Sequence, residues 1–370
     1  MYIYQKFLVM PKYYAKPEHS RNEVNRAGEI LLNPNATKEQ LEHALLVVNN
    51  WRSAHNFPLN TFQVRLRKIA KEINPNCLVA QRIKRLTSIK AKLQDRFTSM
   101  RLVQMQDIGG CRAIMSDVSE VDSIVDIYKH KSRGMLHELA GEDNYIQSPQ
   151  ATGYRSVHLI YKYKSRTIED YKNMRIEIQI RTELQHAWAT AVETAGTFRD
   201  EPLKAGGGDA DWLRFFVVFS SALAILEDKP VVPGTSESYI VLRDEIKYLA
   251  DKLKVVEHLL AFRDSMETIS IGRRGGSYYY LLDLDAEARK VTIKSYNKTQ
   301  LEVASADYLT LEKRIDAKRN AVLVSADSVE SLKAAFPNYY LDTHFFISIL
   351  NIVLGIENPS DYKRVELVLE

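Results

Sequence analysis

The segment Arg175-Ile176-Glu177-Ile178-Gln179-Ile180-Arg181-Thr182 alternates polar and apolar residues without interruption. This period of two is that of a β-strand with one buried face. The three isoleucines are therefore predicted to point into a core, while Glu177, Gln179 and Arg181 share the opposite face. A strand with mixed charges often faces solvent, so the pattern alone also fits an ordinary surface strand.

A glycine turn upstream of this strand favours a functional site. The segment Thr152-Gly153-Tyr154-Arg155-Ser156-Val157-His158 presents a tyrosine, an arginine and a histidine close to the same strand. A tyrosine can stack on any nucleobase, which is worth about 1–3 kcal/mol per base. A carboxylate that faces a cationic, aromatic loop suits a metal-bound phosphate and a flat base. Taken alone, His158 would be more typical of packing.

A basic segment precedes both motifs. Between Arg82 and Arg96 the chain carries six basic side chains and one acidic side chain. A solvated helix face is the alternative interpretation. Thr87, however, can cap a helix that begins at Ser88, so that backbone N–H groups and the positive end of the helix dipole would lie beside Lys84. This combination favours binding of a triphosphate.

Two carboxylates, Asp107 and Glu177, are predicted to converge on this site from separate strands. They would repel each other unless a divalent cation lies between them. Mg²⁺ prefers few carboxylates together with phosphate oxygens and water. The alternative is that they are two unrelated surface acids.

Five blocks of the chain, in order, resemble the synthetase domain of the RelA/SpoT family. The family pattern is R-x-K, S-I-x-x-K, D-I-x-G-x-R, G-Y-R-S-x-H and E-x-Q-I-R-T. The blocks are here Arg82 with Lys84, Ser88 with Lys92, Asp107 to Arg112, Gly153 to His158 and Glu177 to Thr182. Such enzymes move pyrophosphate from ATP onto a ribose 3′-hydroxyl. The resemblance therefore implies an ATP-dependent pyrophosphotransferase (diphosphokinase).

The resemblance also implies roles on the ATP side. Arg82 and Arg112 would stack on the two faces of adenine, since guanidinium planes stack on bases where ammonium groups cannot. The ATP phosphates would be bound by Lys84, Ser88 and Lys92.

On the acceptor side, the resemblance makes Asp107 a Mg²⁺ ligand and Glu177 either a ligand or the group that activates the attacking hydroxyl. Tyr154 would stack on the acceptor base, and His158 would lie at the acceptor or the transferred group. The residues that the resemblance assigns to the acceptor are Tyr154, Arg155, His158, Gln179 and Arg181.

Two departures from the family pattern lie on the acceptor side. The D-Y-I-x-x-P-K block is here Asn144-Tyr145-Ile146-Gln147-Ser148-Pro149-Gln150, so an acidic and a basic position have become neutral amides. In the W-A-x-L-E-H block, which begins at Trp188, Glu193 is displaced by one helical position and the histidine is absent. Glu193 is therefore carried over only weakly. The donor site is expected to be kept and the acceptor to differ.

The composition is that of a soluble protein, with 45% hydrophobic and 26% charged residues in 370. The net charge of +4 does not by itself indicate a nucleic-acid binder. Two cysteines form neither a disulfide framework nor a zinc site. No apolar window reaches the length of a membrane span, and the N-terminus lacks the apolar core of a signal peptide. We therefore expect a cytoplasmic protein that does not bind membranes.

The predicted fold is α/β (α+β), with a mixed β-sheet, nucleotidyltransferase-like synthetase core flanked by helices and a small α+β C-terminal domain. Capping boxes are predicted at Thr37 and Thr182, the latter with Gln185. Trp51 is assigned to a second helix, and Pro58 is expected to precede a third. One long helix is expected from Ser236 to about Thr268, followed by a glycine-rich boundary and, from 278 onward, a hairpin, a helix, a strand and two further helices.

Over nearly its whole length the chain resembles the fused toxic synthetases called CapRel, in which a tRNA-pyrophosphorylating toxin and its antitoxin share one polypeptide. The resemblance implies a toxin domain at 1–210, a helical connector at 211–270 and an antitoxin or sensor domain at 271–370. It also implies anti-phage defence, with the last domain sensing a phage protein.

Tyr339 or Tyr340 is the candidate for autoinhibition, by stacking against the arginines meant for adenine. The alternative is that these aromatics fill a small core. Three functions stay open. The first is an autoinhibited transferase that acts on the CCA end of tRNA and blocks translation. Its candidate contacts to tRNA phosphates are Lys129, Lys131, Arg133, Lys162 and Lys164, for which solubilising surface charge is the alternative. The second is an alarmone synthetase with GDP or GTP as acceptor, and the third is a catalytically silent sensor.

Overall fold

A computed structural model describes most of the chain. The described residues are 14–94, 100–129, 136–199, 201–264, 267–271, 278–285, 287–288, 290–297, 299–312, 319–325, 332 and 343–357.

Nine strands of the described residues form a single mixed sheet. Its spatial order is β3-β4-β5-β2-β1-β9-β7-β8-β6. The β2–β5 and β6–β8 pairs are parallel and the other neighbouring pairs are antiparallel. The strands are β1 (Leu78–Ile83), β2 (Gly109–Met115), β3 (Glu138–Asn144), β4 (Val157–Lys162), β5 (Arg175–Thr182), β6 (Glu267–Ile271), β7 (Tyr279–Asp285), β8 (Lys290–Tyr296) and β9 (Arg319–Ser325).

Helices flank the sheet. They are α1 (Arg21–Ile30), α2 (Lys38–Ala54), α3 (Asn56–Ile73), α4 (Leu86–Gln94), α5 (Val118–Lys129), α6 (Glu183–Arg199), α7 (Ala210–Leu226), α8 (Tyr239–Leu253), α9 (Val255–Asp264), α10 (Leu301–Glu312) and α11 (His344–Val353). None of the helices in the described part of the chain is long and apolar enough to cross a membrane.

The alternation in β5 produces the predicted core. Ile176, Ile178 and Ile180 are fully buried in one cluster with apolar residues of α2, α3 and α5. The opposite face is also largely covered, since Glu177 and Arg181 are only 8% and 3% exposed. The strand therefore has a buried apolar face and a buried polar face, and the mixed α/β fold class is confirmed.

The first helices differ from the prediction in where they are divided. Thr37 and Gln40 form the expected capping box, but α2 continues to Ala54 and so includes Trp51. Pro58 lies in the first turn of α3 rather than ahead of it. Proline is tolerated there because its missing N–H would have no intrahelical acceptor. Trp51 packs against His55, with ring centroids 5.0 Å apart.

The predicted long helix after Ser236 is wrong in extent. Lys254 adopts a left-handed backbone conformation with a φ of 47°, which ends α8, and α9 begins at the next residue. The chain then enters β6 at Glu267, which pairs in parallel with β8. A non-glycine residue in this conformation is uncommon, so the sequence carried no signal for the break.

The C-terminal part contains the predicted hairpin, strand and last helix. β7 and β8 pair from Tyr279↔Tyr296 to Asp285↔Lys290. α10 begins at Leu301, earlier than the predicted start near Ala306. β9 pairs with both β7 and β1, so these strands extend the sheet of the synthetase core. The glycine-rich boundary and the predicted helix at 329–336, except Leu332, lie outside the described residues.

Candidate active site

Side chains on one face of β1, β2 and β5 meet in a cleft. The register places Arg82 opposite Gly110 and Gly110 opposite Glu177, so these residues form one row across the sheet. The next row pairs Arg112 with Gln179. These rows and Asp107 line a cleft of about 330 Å³.

Gly109 explains why the D-I-G-G-C-R block needs a glycine. A Cβ at this position would lie 2.9 Å from Cδ1 of Ile176 and 3.5 Å from Cβ of Leu59. β2 can therefore lie against β5 and α3 only where a side chain is absent. This close packing fixes the strand that carries Arg112 and the adjoining Asp107.

The ATP-side residues converge on Asp107. Lys84 Nζ donates to Asp107 Oδ2 at 2.6 Å, and Lys92 Nζ donates to Oδ1 at 3.1 Å. Burial alone would raise the pKa of Asp107, but the two ammonium groups hold it well below its usual range. Burial lowers the pKa of Lys84 although Asp107 opposes this effect. The cleft therefore contains an ionised carboxylate with two cations beside it.

Helix α4 differs from the prediction at its start. It begins at Leu86, so Thr87 lies inside the helix and Ser88 in its first turn. The Leu86 N–H donates to Glu312 Oε1 at 2.8 Å, so a carboxylate from α10 occupies the predicted position of the cap. Pattern analysis cannot find a cap supplied from so far along the chain.

The two arginines expected at adenine lie on neighbouring strands and on one face of the sheet. Arg112 Nε donates to Gln179 Oε1 at 3.2 Å. Burial and the charges of Arg181 and Arg82 lower the pKa of Arg112 to about 9. A cluster of guanidinium groups that repel each other would be stabilised by an anionic ligand.

A chain of hydrogen bonds links the glycine turn to β5. The phenol oxygen of Tyr154 lies 2.9 Å from His158 Nε2, and His158 Nδ1 lies 3.3 Å from Glu177 Oε1. Gln179 Nε2 donates to Glu177 Oε2 at 2.6 Å. The structure thus brings Tyr154, His158, Glu177 and Gln179 together, next to the ATP side.

The protonation of this chain follows from its neighbours. Burial would lower the pKa of His158, but Tyr154 and Glu177 on either side raise it to about 9. Burial would raise the pKa of Tyr154, but the charges of His158 and Arg181 lower it to about 8. Burial would likewise raise the pKa of Glu177, and the bond and charge of His158 lower it. At neutral pH His158 is therefore a cation that donates to an ionised Glu177.

Arg155 does not join the cleft, although the family resemblance assigns it to the acceptor. Its guanidinium donates to Ser220 Oγ, Ile146 O and Pro230 O, at 3.1, 3.1 and 2.7 Å. Only 3% of the residue is exposed. In this structure Arg155 therefore braces the glycine turn, while its neighbour Tyr154 contacts His158.

Arg181 and Glu193 lie at the far end of the polar face. Arg181 is buried and contacts the His186 ring. Burial would raise the pKa of Glu193, but the charges of Lys204, Arg82 and Arg112 hold it well below its usual range. Glu193 therefore belongs to the electrostatic surroundings of the site. Its spacing of seven residues from His186, two helical turns, could have placed it there.

The carboxylates suit a metal that arrives with a nucleotide. Asp107 and Glu177 line the same cleft. No group of three or more His, Cys, Asp or Glu side chains that could hold an ion occurs among the described residues. Two carboxylates plus phosphate oxygens are the donors that Mg²⁺ prefers. The residues present fit Mg²⁺ bound together with ATP, with Asp107 and Glu177 as its protein ligands.

Other expectations concern surfaces outside the cleft. Tyr339 and Tyr340 lie outside the described residues, as do Lys131 and Arg133 among the candidate contacts to tRNA phosphates. Three lysines near the site are ion-paired to β3: Lys129 with Glu142 at 2.8 Å, and Lys162 and Lys164 with Glu138 at 2.6 and 2.9 Å.

A family profile described as a region found in RelA / SpoT proteins matches residues 81–200. This stretch contains the five blocks and the cleft, with Gln81 at its first position. The match confirms the RelA/SpoT resemblance for this part of the chain. It also confirms the expected enzyme class, an ATP-dependent pyrophosphotransferase.

Two proteins of Bacillus subtilis (strain 168) are similar to the chain. It is 28% identical to the GTP pyrophosphokinase YwaC over 157 residues, which cover 39% of this chain and 73% of that protein. It is 29% identical to the GTP pyrophosphokinase YjbM over 119 residues, 32% of this chain and only 54% of that protein. The crystal structure of small alarmone synthetase 2 from Bacillus subtilis matches with a TM-score of 0.41 and 22% identity, over 48% of this chain and 93% of that one.

Proposed function

We propose that this chain, a pyrophosphotransferase of the RelA/SpoT class, transfers pyrophosphate from ATP to the 3′-hydroxyl at the CCA end of tRNA and so blocks translation. The observation that carries the proposal is that two groups of side chains meet at one cleft, which Asp107 and Glu177 both line. Lys84 and Lys92 pair with Asp107. His158 pairs with Glu177 and contacts Tyr154.

The reaction needs few groups. The acceptor 3′-oxygen forms a bond to the β-phosphorus of ATP. The bond between that phosphorus and the oxygen that bridges the α- and β-phosphates breaks, and AMP leaves with this oxygen. The hydroxyl proton passes to Glu177, which lines the cleft beside Asp107. A weak base suffices because such transfers have loose transition states. The protonated His158 holds the Glu177 carboxylate in place. Mg²⁺ bound with ATP would neutralise phosphate charge.

The shape of the acceptor loop supports tRNA. Asn144 Oδ1 accepts from the N–H groups of Ile146 and Gln147, at 3.2 and 3.1 Å, so this amide shapes a turn. Gln150 donates its backbone N–H to Tyr154 O at 3.3 Å. Where relatives have a charged pair, this loop offers neutral amides. GDP or GTP would bring a 5′ di- or triphosphate to this loop, whereas the terminal adenosine of tRNA brings a single phosphodiester.

The second candidate is a (p)ppGpp synthetase with GDP or GTP as acceptor. Two similar proteins carry the name GTP pyrophosphokinase, which favours it. The pairing of Lys129, Lys162 and Lys164 with glutamates also weakens the case for a tRNA-binding surface at these residues. A silent sensor is disfavoured because Asp107, Glu177 and Tyr154 are all present and face the cleft or its hydrogen-bond chain.

The proposal extends to regulation. Residues 1–210 would be the toxin, 211–270 a connector, and 271–370 an antitoxin that inhibits the enzyme through Tyr339 or Tyr340 until it binds a phage protein. The setting would be anti-phage defence in the cytoplasm. The support for this part is the resemblance over nearly the whole chain, together with the contact of α10 and β9 with the ATP side.

The acceptor can be identified with γ-labelled ATP. Replacing Tyr339 and Tyr340 by alanine in the full-length protein should relieve the proposed inhibition and keep the rest of the C-terminal region. We expect label on intact tRNA, stoichiometric AMP, and no label on tRNA that lacks the terminal adenosine. Label in a guanosine tetra- or pentaphosphate, with tRNA unlabelled, would instead establish the second candidate.

A further inference from the structure

A buried ion pair joins the N-terminal helices to the C-terminal region. Arg52 on α2 donates from Nη1 to Glu312 Oε2 at 2.7 Å and from Nη2 to Glu312 Oε1 at 2.8 Å. Tyr308 donates to the same carboxylate at 2.5 Å. The Arg52 side chain is 2% exposed and that of Glu312 is 4% exposed. The two residues are 260 positions apart in sequence.

The pair holds both sides of the turn that carries Lys84. Arg52 Nε donates to the Lys84 carbonyl at 3.1 Å, and the Leu86 N–H donates to Glu312 Oε1 at 2.8 Å. The Lys84 N–H donates to Ile108 O at 2.8 Å, next to Asp107. The backbone between the end of β1 and the start of α4 is therefore fixed at three points. Two of these points depend on Arg52 and Glu312.

Stability alone does not account for such a pair. Removing two charges from water is costly, and apolar residues of similar volume often replace a buried pair without loss of stability. The bidentate geometry instead gives a defined direction. Arg52 also lies over the Tyr308 ring, 5.3 Å from its centroid, so its orientation is fixed on all sides.

We infer that Arg52 and Glu312 are positioning residues for the phosphates of ATP, because they set the backbone from which Lys84 and Lys92 reach Asp107 at the cleft. This inference rests on the proposed function, since it takes the cleft as the ATP site. The C-terminal region then does more than restrain the enzyme: α10 supplies a carboxylate that completes the phosphate-binding turn. β9 reaches the same place by pairing with β1 at Arg82.

The test uses the full-length protein and removes the pair without leaving one charge buried. We expect Arg52→Met with Glu312→Leu to weaken binding of a non-hydrolysable ATP analogue by about tenfold or more. The KM for ATP should rise in the same proportion, kcat at saturation should change little, and the Leu86 amide should exchange its hydrogen faster.

Glu302→Gln is the matched control, since Glu302 is exposed in the first turn of the same helix. Should the double variant not fold, Arg52→Lys keeps a charge but cannot make the bidentate contact, and it should also raise the KM for ATP. A folded double variant with wild-type affinity and wild-type Leu86 exchange overturns the inference. If the wild type binds no ATP, the proposed function fails instead, and Leu86 exchange still shows whether the pair fixes the turn.

Discussion

At the scale of single residues, Gly153 fixes the position of Tyr154. Its φ of 90° lies in the region that favours glycine, and a Cβ there would lie 3.0 Å from both Ser220 Cβ and Trp188 Cζ2. Gly153 also accepts a hydrogen bond from Ser220 Oγ at 2.6 Å. The turn is thus held against α6 and α7, and the phenol that meets His158 is positioned from outside the cleft.

Gly153→Ala should therefore damage both stability and acceptor use. We expect a loss of roughly 1–3 kcal/mol in the free energy of unfolding, because the residue would combine a strained φ with a close contact. The KM for the acceptor should rise more than the KM for ATP. Denaturant unfolding and steady-state kinetics measure the two effects.

Gly141→Ala is the control for the same chemical change. A Cβ at Gly141 would meet Ile160 only at 3.7 Å, an ordinary contact, so this variant should keep wild-type stability and kinetics. Equal behaviour of the two variants would show that the turn tolerates a side chain and that Gly153 does not position Tyr154.

Residue types predicted the chemistry of the site better than the direction of each side chain. The alternation of β5 placed Glu177 and Gln179 on one face, and both face the cleft. The order of residues in a turn does not say which side each one takes, so the buried position of Arg155 was not predictable. The W-A-x-L-E-H motif does not predict the position of Glu193, which is displaced from it by one helical position. The spacing of two helical turns from His186, which contacts Arg181, is the signal that places Glu193 near the site.

At the scale of elements, the joint between α2 and α3 contains a buried histidine. His55 is 1% exposed, and its Nδ1 lies 2.7 Å from the Trp51 carbonyl, to which the neutral ring donates. Burial lowers the pKa of His55 from 6.5 to about 4. The neutral ring is therefore part of the helix packing beneath β2.

This histidine should make the protein less stable in mild acid. The unfolded chain takes up a proton near pH 6.5, while the folded chain resists protonation until about pH 4. The stabilising contribution is thus present above pH 6.5 and is lost as the pH falls towards 4. The difference between the two pKa values corresponds to roughly 3 kcal/mol of unfolding free energy. As the pH is lowered from 7 to 4, the unfolding free energy of the wild type should therefore approach that of His55→Asn.

His137 provides an internal check. Burial and the charge of Arg65 lower its pKa to about 4 as well, so it titrates in the same window. Replacing both histidines should flatten the pH dependence further than either replacement alone. A wild-type slope in His55→Asn would mean that the ring is solvated in the folded protein.

Local patterns explain how well each element was predicted. Capping boxes and strict alternation are short-range signals, and α2, β5 and α6 agree with them. Lys254 interrupts an amphipathic pattern that runs on beyond it, since the break follows from packing and not from a glycine or proline. The sequence pattern therefore predicts one helix where the structure has α8 and α9.

At the scale of the whole molecule, the continuous sheet was beyond prediction. β9 meets β1 at Gln81↔Ser325 and Arg82↔Val324, a pairing between segments more than two hundred residues apart. The sequence shows a change of pattern near 271 and suggests a separate domain. Neither the β1–β9 pairing nor the Arg52–Glu312 contact can be predicted from local periodicity, because each joins segments that are far apart in the sequence.

Because of the β1–β9 pairing and the Arg52–Glu312 contact, a truncation is a poor test of the proposed inhibition. Deleting residues 271–370 would remove Tyr339 and Tyr340 together with Glu312. It would also leave Arg52 without its partner and β1 without β9 on one side. Point variants in the full chain would separate release of the proposed inhibition from disruption of the turn that carries Lys84.

The most direct test of the account is transfer of γ-label from ATP by full-length protein carrying Tyr339→Ala and Tyr340→Ala, with and without Glu177→Gln. Glu177 accepts from Gln179 and pairs with His158, so glutamine should fit the same space without ionising. The account predicts that Glu177→Gln still binds ATP but lowers AMP formation and labelling of the acceptor by roughly a hundredfold or more. Undiminished transfer by Glu177→Gln would contradict it.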